Sequence, residues 1–105
     1  MIAFTDGAAL ICVVPSRTHN GVYLVRCEPV ETDLIVSHDC PAIRFGRACR
    51  HIQEASSAYE RWHWWEPKKR IVPVCRRIVL KPEWDQVQLP PSPVELLRAV
   101  VMDAS

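Results

Sequence analysis

Glycine is scarce in this 105-residue chain: Gly7, Gly21 and Gly46 stand singly. A glycine-rich loop that could cradle phosphate is therefore missing. An excess of one charge is missing too, because 13 basic residues face 12 acidic ones for a net charge of +1. No global field draws the chain to nucleic acid or to a membrane, and any basic surface has to be local. The longest apolar run, residues 8–14, falls far short of the ~20 residues that span a bilayer. Met-Ile-Ala-Phe-Thr-Asp-Gly at the start has no basic region ahead of its apolar residues, so no secretory leader is expected. The five cysteines are an odd number without a paired framework, which argues for a reducing compartment. The expectation is a soluble, intracellular, cytoplasmic protein with no membrane partner. Residues 1–105 make one domain's worth of chain with a modest core, and no internal repeat or low-complexity tract is evident.

What is present is concentrated in residues 37–52. His38-x-Cys40 and Cys49-x-His51 form two pairs, each with a single spacer, separated by eight residues. Zinc takes four tetrahedral ligands from thiolate sulfur and imidazole nitrogen, and two cysteines with two histidines make one of its closed structural sites. A one-residue spacer suits a strand end or tight turn, where alternate side chains project to one side. Singly, a cysteine is more often a small buried apolar residue and a histidine a surface one. The joint spacing points to a metal site.

This stretch resembles the SWIM zinc finger, in which a short antiparallel hairpin leads to Cys-x-Cys, a variable loop, and then Cys-x-His at the start of a helix. Cys40, Cys49 and His51 match that pattern, with Cys40-Pro41 and Cys49-Arg50-His51-Ile52 at the two ends of the loop. The family's first cysteine falls on His38, so the resemblance implies three ligands directly and suggests the fourth. Two thiolates balance the double charge of the metal where three would leave the site at minus one. Cys27, at the end of a strand pattern, competes with His38 for the fourth position; it can also pack in the core. The resemblance covers about residues 20–62, leaving an extension over residues 63–105. It implies an α+β fold: a small antiparallel hairpin or sheet plus a helix (ββα), followed here by a C-terminal strand and a short helix.

Before the motif, residues 8–14 read as a buried strand closed by Pro15-Ser16, with Cys12 as a core residue. Asn20-Gly21 signals a tight hairpin turn ahead of a second strand, Val22-Tyr23-Leu24-Val25-Arg26. On that strand Val22 and Leu24 share one side, Tyr23 and Val25 the other. A turn over residues 28–32 containing Pro29 then leads to Asp33-Leu34-Ile35-Val36, which delivers the chain to His38. After the motif, Ala48, Ile52, Ala55, Tyr59 and Trp62 recur in steps of four and three, one face of a helix with His51 beside it. Arg50, Gln53, Glu54, Ser57, Glu60 and Arg61 make the polar face.

Pro67 ends any continuation of that helix after Trp62-His63-Trp64-Trp65. Four bulky rings in a row cannot all face inward. Either Trp64 or Trp65 is exposed, or later residues fold back over them; burial is the favoured expectation. Residues 71–80 read as two short strand pieces, with Pro73 best placed at an edge and Cys75 as packing or a free thiol. Residues 81–91 read as irregular. Ser92-Pro93-Val94-Glu95 then supplies an N-cap, a first-turn proline and a capping glutamate for a short helix over residues 93–102.

A catalytic zinc keeps one position open for water or substrate. Here four protein ligands fill the set, so neither catalysis nor a small-molecule substrate is expected. Cys49 and His51, two apart at a helix start, are better disposed to share an ion than to act as nucleophile and base. The expected role is a non-catalytic zinc-binding module. In one form it contacts nucleic acid, as an accessory factor, through Arg44, Arg47 and Arg50 beside the metal and Lys68, Lys69 and Arg70 beyond the helix. Arg76 and Arg77 lie further on, and Trp64 or Trp65 stacks on an unpaired base. The resemblance implies DNA binding or protein interaction without choosing between them. In the other form the module is a protein-interaction domain or small subunit, docking through exposed tryptophan, the edge near Pro73 and the apolar final helix.

Overall fold

The computed structural model describes residues 2–15, 21–44 and 49–89; the side chains of residues 43 and 44 are outside the described set. Asn20, Arg47, Ala48 and the helix expected over residues 93–102 fall outside it as well. Among the described residues the elements are β1 (Ile2–Asp6), β2 (Ala9–Pro15), β3 (Val22–Val30), β4 (Asp33–His38), α1 (Pro41–Arg44), α2 (Arg50–Trp62), β5 (Arg70–Cys75) and β6 (Asp85–Gln88). They build one six-stranded sheet in the order β5-β4-β3-β2-β1-β6, with α2 against it. All neighbours are antiparallel except β4 and β5, which run parallel. No helix among the described residues is long and apolar enough to cross a membrane.

The α+β class is as expected, but the hairpin leading to the motif is the middle of a mixed sheet and not an isolated ββα unit. Two strands were not anticipated. β1 turns into β2 through Gly7 and Ala8, with Asp6 opposite Ala9 and Gly7 at φ +59°, a conformation glycine adopts without strain. Asp6-Gly7 is itself a hairpin signature. β6 lies in a segment expected to be irregular and pairs with β1 some eighty positions earlier. Residues 76–80, expected as a second strand piece, are not strand.

The β3–β4 turn is also tighter than its proline suggests. Val30 lies opposite Asp33 and only Glu31 and Thr32 turn the chain, with Glu31 at φ +55°. Pro29 is inside β3, opposite Leu34. Counting alternate pairs from the turn, Pro29 sits at a non-hydrogen-bonded position toward β4. The β2 pairing reaches only Cys27, so the absent N–H of Pro29 breaks no ladder bond. Between β2 and β3 the register joins Pro15 to Val22, so Asn20-Gly21 alone does not span the connection as a two-residue turn.

Alternation along the strands sets two faces. Leu10, Cys12 and Val14 of β2, Val25 and Cys27 of β3, and Leu34 and Val36 of β4 are buried in one cluster with Ile52, Ala55, Ala58 and Tyr59 of α2. Cys12 is core, as expected, with its thiol 4.0 Å from the Ala55 carbonyl. On the opposite face Ile11 is fully buried and Trp84 nearly so; the Arg26 guanidinium lies 5.8 Å from the Trp84 ring centre. Pro73 sits on β5, an edge strand, where its missing donor is harmless.

Candidate metal centre

His38 is the last residue of β4, on the same face as Leu34 and Val36, and is 1% exposed. Cys40 follows two residues later and precedes α1. Cys49 is the N-cap of α2 in extended backbone (φ −113°, ψ 120°), and His51 is the second residue of that helix. Cys40 and Cys49 are buried and His51 half-buried, and the candidate ligand atoms of all four lie within 4.8 Å of one another. They form a group that can hold a metal ion. Among the described residues no other set of three or more histidines, cysteines and carboxylates stands close enough to share one.

Three of the six donor separations match the edges of a zinc tetrahedron, and all six lie within 4.8 Å. His38 Nε2 is 3.3 Å from His51 Nδ1, Cys40 Sγ is 3.5 Å from Cys49 Sγ, and Cys49 Sγ is 3.5 Å from His51 Nδ1. With Zn–S near 2.3 Å and Zn–N near 2.05 Å, tetrahedral angles require edges of about 3.35 Å between nitrogens, about 3.75 Å between sulfurs and about 3.55 Å between the two kinds. These three donor pairs thus stand at metal-ligand spacing. All the cysteines are free thiols, and 3.5 Å between sulfurs is far outside the ~2.05 Å of a disulfide.

The surroundings prepare each donor. His38 Nδ1 lies 3.2 Å from the Leu24 carbonyl, so a proton on Nδ1 donates to that oxygen and leaves the Nε2 lone pair for a metal. Burial lowers the pKa of His38, favouring the neutral ring, although the Leu24 carbonyl and the Asp39 carboxylate act the other way. Tyr23 stands edge-on to His38 at 5.3 Å and against His51 at 4.4 Å between ring centres, fixing both imidazoles. Burial pushes the Cys49 thiol up. The amides of Ile52 and His51 at the helix start pull it back, while the Cys40 thiol beside it adds to the rise. Those amides favour thiolate without closing a cap bond of ordinary geometry. Two buried thiols side by side ionise together only if a cation offsets their charge.

Arg50 is held by the Glu54 carboxylate one turn on. Its Nη2 lies 3.2 Å from His51 Nε2. With Nδ1 metallated, Nε2 carries the ring proton, and this approach is then one of two donors and not a hydrogen bond.

Cys27, the competitor for the fourth position, is buried in the core. The neighbouring Cys12 thiol and then burial push its own thiol well above the ordinary range, so it stays protonated.

Among the described side chains the basic residues do not converge. Arg50 pairs with Glu54; Lys69 Nζ donates to the Glu31 carbonyl at 2.6 Å; Arg70 is bidentate to Asp33 at 3.0 and 3.2 Å. Lys68, Arg76 and Arg77 are exposed. The strand register opposes Arg70 to Asp33 and Cys75 to His38. The metal-ligand end and the Lys68–Arg70 end are therefore about 16 Å apart, five strand steps. Trp64 and Trp65 are 78% and 62% exposed; the expected burial by later residues is not what the structure shows. Cys75 is exposed, its thiol 3.8 Å from the Asp39 carboxylate. Trp84 covers the second sheet face beside Arg26, and as a lone tryptophan among prolines and charges it carries no periodic signal in the sequence. No family model, no curated protein and no solved structure matches this chain.

Proposed function

We propose that this chain is a non-catalytic zinc-binding module of SWIM type, in which His38, Cys40, Cys49 and His51 hold one structural Zn2+. The observation that carries the reading is the agreement of three donor separations, 3.3, 3.5 and 3.5 Å, with the edges of a zinc tetrahedron. Four protein donors complete that coordination, leaving no position for a reacting water. The order strand pair, ligand pair, intervening segment beginning with α1, ligand pair, helix supports the SWIM assignment, with His38 in place of the first cysteine. Metal analysis of the purified full chain tests it. One zinc per chain is the expected result, and none after metal-replete purification overturns it.

The module's partner, in this reading, is nucleic acid. Exposed Trp64 and Trp65 offer faces for stacking, with Lys68 exposed alongside. Arg44, the last residue of α1, and Arg47, both between the ligand pairs in sequence, would meet phosphates near the metal. Binding of single- and double-stranded DNA across a salt series tests this, because phosphate contacts make affinity steepen as salt falls. Replacing Arg44 and Arg47 by Ala should weaken binding and leave zinc content and folding intact. Unchanged affinity would remove that segment from the contact.

One observation favours a protein partner instead. Ile71 on edge strand β5 and the following Val79 and Leu80 are exposed apolar residues, and an open strand edge accepts an added strand. Absence of DNA binding even at low salt, with a stoichiometric co-purifying protein, would select this second reading.

A further inference from the structure

A metal-binding histidine uses both ring nitrogens. One holds the ion, and the other carries the ring proton and needs an acceptor that fixes the tautomer and the orientation of the ring. His38 has that acceptor in the Leu24 carbonyl, 3.2 Å from Nδ1. In His51 the nitrogen turned to the cluster is Nδ1, 3.3 Å from His38 Nε2 and 3.5 Å from Cys49 Sγ. The nitrogen left for the proton is Nε2, and it faces the ion pair of Arg50 and Glu54. Nη2 of Arg50 stands 3.2 Å from Nε2, while Nη1 of the same guanidinium bonds the Glu54 carboxylate.

Only one member of that pair can serve the ring. A guanidinium offers N–H donors and no acceptor, so Arg50 cannot take a bond from Nε2–H. The Glu54 carboxylate only accepts, and one bond to Arg50 leaves it lone pairs to spare. Glu54 lies three residues past His51 in α2, a spacing at which helix side chains are neighbours. Arg50 is about one-third exposed and has water to turn into when the nitrogen beside it carries a proton. An ion pair one helical turn apart that merely steadied α2 would make its two partners equivalent. A carboxylate that serves His51 would not.

We propose that Glu54 is the positioning residue of His51: its carboxylate accepts the Nε2–H, holds the ring with Nδ1 toward the cluster and strengthens Nδ1 as a donor to the metal. Arg50 competes for that carboxylate and is no part of the support. The inference rests on the zinc reading of the four ligands and adds a fifth residue on which the affinity depends.

Zinc affinity of the full chain, measured by competition with a chromophoric chelator, tests it in three variants. Glu54→Ala should weaken zinc binding by about 10- to 100-fold. Glu54→Gln, whose amide oxygen still accepts, should lose less than Glu54→Ala. Arg50→Ala breaks the same ion pair but releases the carboxylate, and should not weaken binding. Nitrogen NMR of the histidines in the zinc-loaded chain should find the ring proton on Nε2 in His51 and on Nδ1 in His38, and the His51 proton should exchange faster with water in Glu54→Ala. Zinc held by Glu54→Ala as tightly as by the wild type overturns the role of Glu54 and leaves the ligand set standing. An equal loss in Arg50→Ala and Glu54→Ala does the same, because it shows the ion pair acting only on the helix. No zinc bound by the wild-type chain overturns the metal reading, and this inference with it.

Discussion

His38 and His51 face each other through different nitrogens, Nε2 of the first standing 3.3 Å from Nδ1 of the second. The difference follows from where each ring is rooted. His38 hangs from a strand end with Nδ1 turned to the Leu24 carbonyl, so only Nε2 is left to point inward. His51 rises from the first turn of α2, two residues from Cys49, where the nearer nitrogen is the one that reaches the cluster. One thiol and one imidazole come from the end of β4 and the residues just past it, and the other two from the start of α2. A shared ion would then join the two layers.

Loss of a ligand should therefore uncouple those layers. Cys40→Ser or His51→Ala is expected to lose the metal and lower the melting temperature by more than about 10 °C, since binding energy of a structural metal is largely folding energy. Metal content and thermal melting followed by circular dichroism check this. Full retention of one tightly held ion in either variant would remove that residue from the ligand set.

Cys27→Ala separates the two claimants for the fourth position. Cys27 is buried against Cys12 in the apolar cluster, so its truncation should cost about 1–2 kcal/mol of stability through a small cavity. The metal content should stay at the wild-type level. A variant that folds but loses its ion would show that Cys27, and not His38, completes the set.

Glu31 occupies φ +55° in the two-residue turn between β3 and β4. An L-residue with a side chain is strained there by about 1 kcal/mol, and glycine is not. Glu31→Gly should raise the melting temperature by about 4–8 °C. Lys69 bonds the Glu31 carbonyl, which the substitution retains. Thermal denaturation at neutral pH reads the change, and a lowered melting temperature would contradict it.

Tyr59 gives the alkaline limb of stability. Burial, then the Glu66 carboxylate, push its phenol up to about 12, against about 10 in the unfolded chain. A raised folded-state pKa means the contribution is whole below pH 10 and is lost as pH rises toward 12, at about 1.4 kcal/mol per pH unit at most. Urea midpoints at pH 9.5 and 11.5 should fall less in Tyr59→Phe than in the wild type. Equal falls would show that other groups, the buried thiols first, carry the whole effect.

Much of this was legible in particular residues. The two ligand pairs, the stripe Ile52, Ala55, Tyr59, the antiparallel strands on either side of residues 16–21 and the edge position of Pro73 all follow from local chemistry. β1 could have been read from Asp6-Gly7, where a hairpin signature joins two apolar runs. β6 could not: Asp85-Gln86-Val87-Gln88 is polar on an outer edge, and its only warrant as a strand is the partner β1 far away in sequence. The parallel pairing of β4 with β5 likewise depends on α2 carrying the chain back across the sheet.

Spacing and residue type alone determined which atoms could bind a metal, because ligand chemistry and helical or strand periodicity are local properties. Their convergence, with His38 and not Cys27 beside His51, needed the folded sheet. So did the separation of the described basic residues to opposite ends of β5, the exposure of Trp64 and Trp65, and the burial of the Tyr59 hydroxyl without a partner. Each of these depends on which distant segment arrives at a given surface, and only long-range packing decides that.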